Sequence, residues 1–268
     1  MCVHKKRDKI GRTMLMVTAG IMIAGFLVAQ LEAQSFNISQ NGKTVGNASL
    51  SIKQAGNGVD ATSGAKIDMP GLKYSFNQTQ MLDPGYHLTS AELKGEVNGT
   101  KATVDASAQG QQYAMKINAN GQVTNTPLAF HRSAIFLPDF DPAALQVLLN
   151  LGAASNNRDM WALVPKQTGS VAALRVATKM DEQGTLDGHP VTVHHVTVTQ
   201  DTSTTELFSG PSNELLQAEW TDEGFAMVRQ GFKLTPPKQP NGAPPAPPPQ
   251  QSAGQQQPQQ QPQQQPQN

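Results

Sequence analysis

Three histidines lie close together in this chain, His189, His194 and His195, and imidazole nitrogens are ready ligands for zinc and similar metals. Neighbouring side chains of a regular strand point to opposite faces, so His194 and His195 cannot serve one ion without a local distortion. The apolar register changes at this pair: Val191 and Val193 share one parity, Val196 and Val198 the other. That change predicts a β-bulge at the histidines, which would re-aim one ring. A metal site would still need a further ligand from a distant strand, His87 or His131. The expectation is therefore two partly exposed strand histidines, with no metal and no cofactor.

Asp139 and Asp141 form the second constellation, a carboxylate pair around Phe140. Paired carboxylates can do acid–base chemistry or hold calcium. A calcium loop needs more acidic neighbours than Pro138, Phe140 and Pro142 supply. Placed just ahead of an apolar run, the pair is expected to cap a helix and complement its dipole. His131-Arg132 stands alone and reads as a strand-end pair. The chain has no Gly-x-Ser-x-Gly, Ser-x-x-Lys, His-Glu-x-x-His or phosphate-cradling glycine loop. Glycosidase carboxylates are recognised by geometry rather than by motif, but aromatic residues make up only 5% of the chain, which leaves few sugar platforms. The sequence reads as that of a protein that is not an enzyme.

The elements that must position these residues are mostly strands. Asn-Gly pairs begin at Asn41, Asn57, Asn98 and Asn120, and an Asp-Gly pair at Asp187. Such pairs tolerate positive φ at both positions, as two-residue hairpin turns require. Between them apolar residues alternate: Ala48, Leu50, Ile52; Leu72, Tyr74, Phe76; Ala91, Leu93, Val97; Tyr113, Met115, Ile117. This is the pattern of an antiparallel sheet with one wet face, whose other face must curl or be covered. The cover is the segment 138–152. Asp141 suits the N-cap, Pro142 the first helical position and Gly152 the left-handed C-cap. No charge occurs from Ala143 to Leu151, so the helix must be buried. Strands return at Met160–Val164, Ala173–Met180 and Val191–Thr199. A last hairpin spans Leu215–Trp220 and Phe225–Leu234, with Leu216, Ala218 and Trp220 sharing one side.

Three segments follow from this reading. Residues 1–33 are a leader, in which Lys5, Lys6, Arg7, Lys9 and Arg12 precede the uncharged apolar run Met14–Ala29. That order marks an exported protein, in the periplasm or at the cell surface. Leader removal and retention as an inner-membrane anchor through residues 14–29 both remain open. Residues 34–234 form one β-rich domain, and residues 235–268 a disordered tail with 11 Pro and 13 Gln. The tail is a spacer or a contact site for a protein or the cell wall. Beyond residue 33 there are 15 basic and 18 acidic residues, with no basic stripe, so nucleic acid is excluded as a partner. Cys2 is the only cysteine, so the exported part can form neither disulfides nor thiolate metal sites.

The opening Phe36-Asn37-Ile38, Asn41-Gly42-Lys43, Val45-Gly46 and the closing Gly224-Phe225-Ala226-Met227-Val228-Arg229 resemble the first hairpin and last strand of uncharacterised exported bacterial β-rich proteins. The resemblance implies a curved antiparallel sheet like that of the periplasmic lipoprotein carriers, with helical cover on the concave side. It carries no functional residues over.

The fold expected is thus mainly β: a curved antiparallel sheet or half-open barrel with one buried helix, between a signal helix and a disordered tail. Two functions fit it. One is a non-catalytic module holding a lipid or other apolar ligand in a cavity formed by Leu145, Leu148 and Leu149 opposite Phe76 and Met115. The other is a structural or interaction protein acting through its surface and its Pro/Gln-rich tail.

Overall fold

Turn chemistry sets the strand pairing. In the computed structural model, which describes residues 33–155 and 159–236, Asn41-Gly42, Asn98-Gly99, Asn120-Gly121 and Asp187-Gly188 all carry positive φ at both positions. The expected turn at Asn57-Gly58 is displaced by one residue. Ala55 pairs with Gly58, so Gly56-Asn57 make the turn, with φ +58° at Gly56. Gly58 is instead a strand residue, and a Cβ there would meet the Leu82 carbonyl oxygen. Apart from residues 33, 235 and 236, the segments expected to be a leader and a Pro/Gln-rich tail lie outside the described residues.

The first half is a meander of eight strands, each antiparallel to the next: β1 (Gln34–Gln40), β2 (Lys43–Ala55), β3 (Gly58–Met69), β4 (Leu72–Leu82), β5 (Leu88–Val97), β6 (Thr100–Gln109), β7 (Gln112–Ala119) and β8 (Gln122–Ala129). The predicted alternation holds along most of it: Ala48, Leu50, Phe76, Ala91, Leu93, Tyr113, Met115 and Ile117 are all buried in one core. Val97, at the end of β5, is exposed.

After β8 come β9 (Ala134–Phe136), helix α1 (Pro142–Ser155) and β10 (Asp159–Val164). Here the pairing departs from the antiparallel expectation, because β9 and β10 run parallel. A parallel pair needs a long crossover, and α1 is that crossover. The sheet continues through β11 (Ser170–Thr178), β12 (Glu182–Leu186), β13 (His189–Gln200), β14 (Ser203–Ser209), β15 (Leu215–Trp220), β16 (Phe225–Arg229) and β17 (Phe232–Leu234). β16 returns to pair with β1 and joins the two halves. Among the described residues the result is one large curved open sheet with a single α-helix, not closed into a barrel.

α1 packs against β2, β3, β9 and β15, and every residue from Pro142 to Leu149 is buried. Each fully buried Leu or Val contributes roughly 1.5–3 kcal/mol. Its one buried polar side chain, Gln146, is satisfied: Nε2 donates to the Asn213 carbonyl at 2.7 Å and Oε1 accepts from the Leu215 amide at 2.7 Å. Asp141 is the cap, its Oδ1 accepting from the Ala143 amide at 2.9 Å. Asp139 is not a cap; its carboxylate pairs with Lys166 at 2.9 Å. Nor does Gly152 end the helix, which runs on to Ser155. Glycine at that position has helical φ, and the flanking alanines and leucine carry the helix past it.

The parity change in β13 has a different origin from the bulge it predicts. The first half of the strand pairs with β12 and the second half with β11. Val193 packs into a small second core with Phe208, Leu216 and Phe232, and Val191 packs against it. Val196 and Val198 face the main core. One regular strand thus has its apolar side chains on whichever face is covered at each point, β12 and β17 forming the back cover. The irregularity falls one hairpin away, where Phe208 pairs with Gln217 but Ser209 with Leu215. It turns Leu215 into the main core and Leu216 into the second, so Leu216 does not share a face with Ala218.

Candidate functional site

His194 and His195 point to opposite faces, as strand geometry requires, and each is engaged by acids. His194 Nδ1 lies 2.9 Å from Asp181, while His195 has Glu182 at 2.7 Å from Nδ1 and Glu206 at 2.9 Å from Nε2. His87 is bound to Asp83, and His131 stacks on Trp161 with ring centres 3.7 Å apart. No group of three or more His, Cys, Asp or Glu among the described residues could hold a metal ion.

Burial alone would raise the Glu206 carboxyl, but the Lys179 ammonium, the Thr197 hydroxyl and His195 together hold it below its ordinary value. A depressed carboxylate stabilises the fold above its unfolded pKa and loses that contribution as pH falls through the folded one. Glu206→Gln should therefore flatten the loss of stability below about pH 4.5, by no more than about 1 kcal/mol for a pair whose lysine is half exposed. Urea unfolding of the variant and the parent between pH 3 and 6 would check this.

The concave space lies elsewhere, at the N-terminal end of α1. The loop Leu137–Asp141 enters the helix with φ +56° at Phe140, a strained value for a bulky residue. The turn places the Phe140 ring edge-on against Tyr74, Trp220 and Phe225, with centres 6.3, 5.1 and 4.8 Å away. The Tyr74 hydroxyl donates to the Asp139 carbonyl at 3.2 Å and holds the loop to β4. Behind Phe140 is a cavity of about 280 Å³. Leu145, Leu148, Val164, Leu174, Val198 and Trp220 supply its apolar lining, and Asp139, Asp201, Glu223 and Lys166 its charged rim.

Asp141 also lines it. This carboxyl is 1% exposed. Burial pushes it up to about 6, against the opposing influence of the Ser63 hydroxyl (2.6 Å from Oδ1), the Ala143 and Ala144 amides and the Gln78 side chain. Its Oδ2 has no partner at ordinary hydrogen-bond distance, nor has either amide atom of Gln78.

Of the five residues expected to line a cavity, the structure brings Leu145 and Leu148 to this one. Leu149 borders a separate pocket with Leu148, Val176, Val196 and His194. Phe76 and Met115 are buried in the main core but are not among the residues lining either. Three further apolar lining residues were not assigned to the cavity by the sequence: Val164 on β10, Leu174 on β11 and Trp220 at the end of β15. The parity of Val198 was the one available signal.

The sequence profile of a family described as a domain of unknown function, DUF6134, matches residues 36–230, from β1 through β16. The chain belongs to that family. The DUF6134 domain thus takes in the meander, the helix and the cavity. No curated protein matches the chain. Among solved structures, a DUF1089 family protein from Pseudomonas aeruginosa is similar at 12% identity and a TM-score of 0.41, over 63% of this chain and 87% of that one.

Proposed function

We propose that this protein is an exported, non-catalytic module of the cell envelope that holds a small apolar ligand in the cavity under the start of α1. The observation that carries this reading is the cavity itself, about 280 Å³ behind an aromatic ring, with leucine, valine and tryptophan side chains lining it beside Gln200, Thr202, Ser203 and Thr205. That volume falls just below the usual range of small-molecule sites, roughly 300–1,000 Å³. It favours a compact ligand or part of a lipid chain over a whole lipid. A non-catalytic role is supported by the state of Asp141, whose Oδ1 is already committed to Ser63 and Ala143 as a helix cap. Export rests on the basic leader and the apolar run at 14–29. The likeness to lipoprotein carriers belongs to the same proposal.

The test is organic extraction and mass spectrometry of the full exported chain, purified from an exporting host. A stoichiometric apolar molecule that is lost in Leu148→Trp, which fills the space, is the expected result. A stable parent chain that yields no such molecule and binds no apolar probe would overturn the reading and turn attention to the surface and tail as contact sites.

A further inference from the structure

We infer that the cavity selects a small organic ammonium ion, an apolar body carrying a protonated amine, over neutral or anionic ligands of the same size. The inference rests on the reading of this cavity as a ligand site and adds the chemistry of the head group. Four carboxylates line it, Asp139, Asp141, Asp201 and Glu223, against one lysine. That lysine, Lys166, is already paired with Asp139 at 2.9 Å. Among the described residues neither Asp201 nor Glu223 forms an ion pair, so the rim keeps an excess of negative charge. An anionic head group entering here would meet like charge, and the N-terminal amides of α1 that could attract it are occupied by Asp141.

Three further features favour a cation. Asp141 Oδ2 is buried beside the Gln78 side chain with no partner at ordinary hydrogen-bond distance, and an ionised carboxylate oxygen can only accept. Phe140 and Trp220, edge to face at 5.1 Å, both border the space, and aromatic faces attract ammonium groups through their quadrupoles. The remaining wall combines aliphatic side chains, from Leu148 to Val198, with Gln200, Thr202, Ser203 and Thr205, and its aliphatic part suits a hydrocarbon body. Carboxylates at a mouth, a buried acceptor, aromatic rings and an apolar floor are the requirements of amine recognition, and the one lining cation, Lys166, is already paired with Asp139.

Calorimetric titration of the full exported chain with hexylammonium, hexanol and hexanoate at pH 7.5 tests this. Hexylammonium should bind about tenfold or more tightly than hexanol, with hexanoate weakest. Asp141→Asn, which keeps a capping oxygen, should remove most of that advantage and leave hexanol binding unchanged. Asp201→Asn with Glu223→Gln, both at exposed positions, should weaken hexylammonium severalfold and reduce its salt dependence. Equal binding of the three probes, or preference for hexanoate, would overturn the charge selection while leaving the cavity reading intact. If none of the three binds, both fall.

Discussion

Leu148→Asp is expected to abolish cooperative folding. Leu148 is 1% exposed on a helix with no charged side chain in its buried stretch, and it reaches both the cavity and the main core. A carboxylate there loses its hydration, and the one lysine of the cavity, Lys166, is already paired with Asp139. If it protonates instead, it still forfeits the leucine packing and presents a hydroxyl to aliphatic walls. The loss should exceed about 5 kcal/mol, comparable with the whole stability of an ordinary domain. Leu148→Ala should cost about 2–5 kcal/mol and enlarge the cavity, and Leu148→Met less than about 1.5. Urea unfolding followed by circular dichroism orders the three. A Leu148→Asp chain as stable as the parent would mean that α1 is not enclosed by the sheet.

The contrast between what the sequence shows and what it hides follows from how local each determinant is. An Asn-Gly pair imposes its own turn, so the hairpins at Asn41, Asn98 and Asn120 are readable from two residues each. The burial of α1 is readable from nine uncharged positions. At Ala55–Gly58 two overlapping dipeptides compete, and the pairing of β2 with β3 decides for Gly56-Asn57. The parity change at His194 was visible, but a bulge and a switch of covered face produce the same string of valines. Only the positions of β11, β12 and β17 distinguish them.

The cavity was the hardest feature to place. Its leucines come from α1, but the opposite wall depends on which strands the parallel β9–β10 pairing brings over the helix. Phe76 and Met115 lie on the meander of the first half and pack in the main core, whereas Val164, Leu174 and Trp220 reach the site through the second half of the sheet. Nothing in the spacing of the residues predicts that crossover.

At pH 7.5 Asp141→Asn is expected to make the protein more stable, and Asp141→Ala to be less stable than Asp141→Asn. The folded carboxyl titrates at about 6 against an ordinary value of 3.8, with burial as the main cause. A group whose folded pKa is raised binds its proton more tightly in the native state. Its contribution is therefore fully present below about pH 4 and is lost as pH rises through about 6. Two pH units correspond to about 3 kcal/mol as an upper bound. Asparagine removes that penalty and retains an oxygen for Ser63 and Ala143. Alanine removes the charge too, but leaves the Ser63 hydroxyl and the helix amides without an acceptor, at a cost of about 1–3 kcal/mol. Urea midpoints from pH 4 to 8 should slope downward in the parent and run flat in Asp141→Asn. Glu206 and Asp83, both held below their ordinary values, act on the acid side of that window. Matching slopes in parent and Asp141→Asn would show that the carboxyl is not strained by burial. If the asparagine variant is instead more stable and loses hexylammonium binding, a buried charge kept against stability has a ligand as its reason, and Asp141 is that charge.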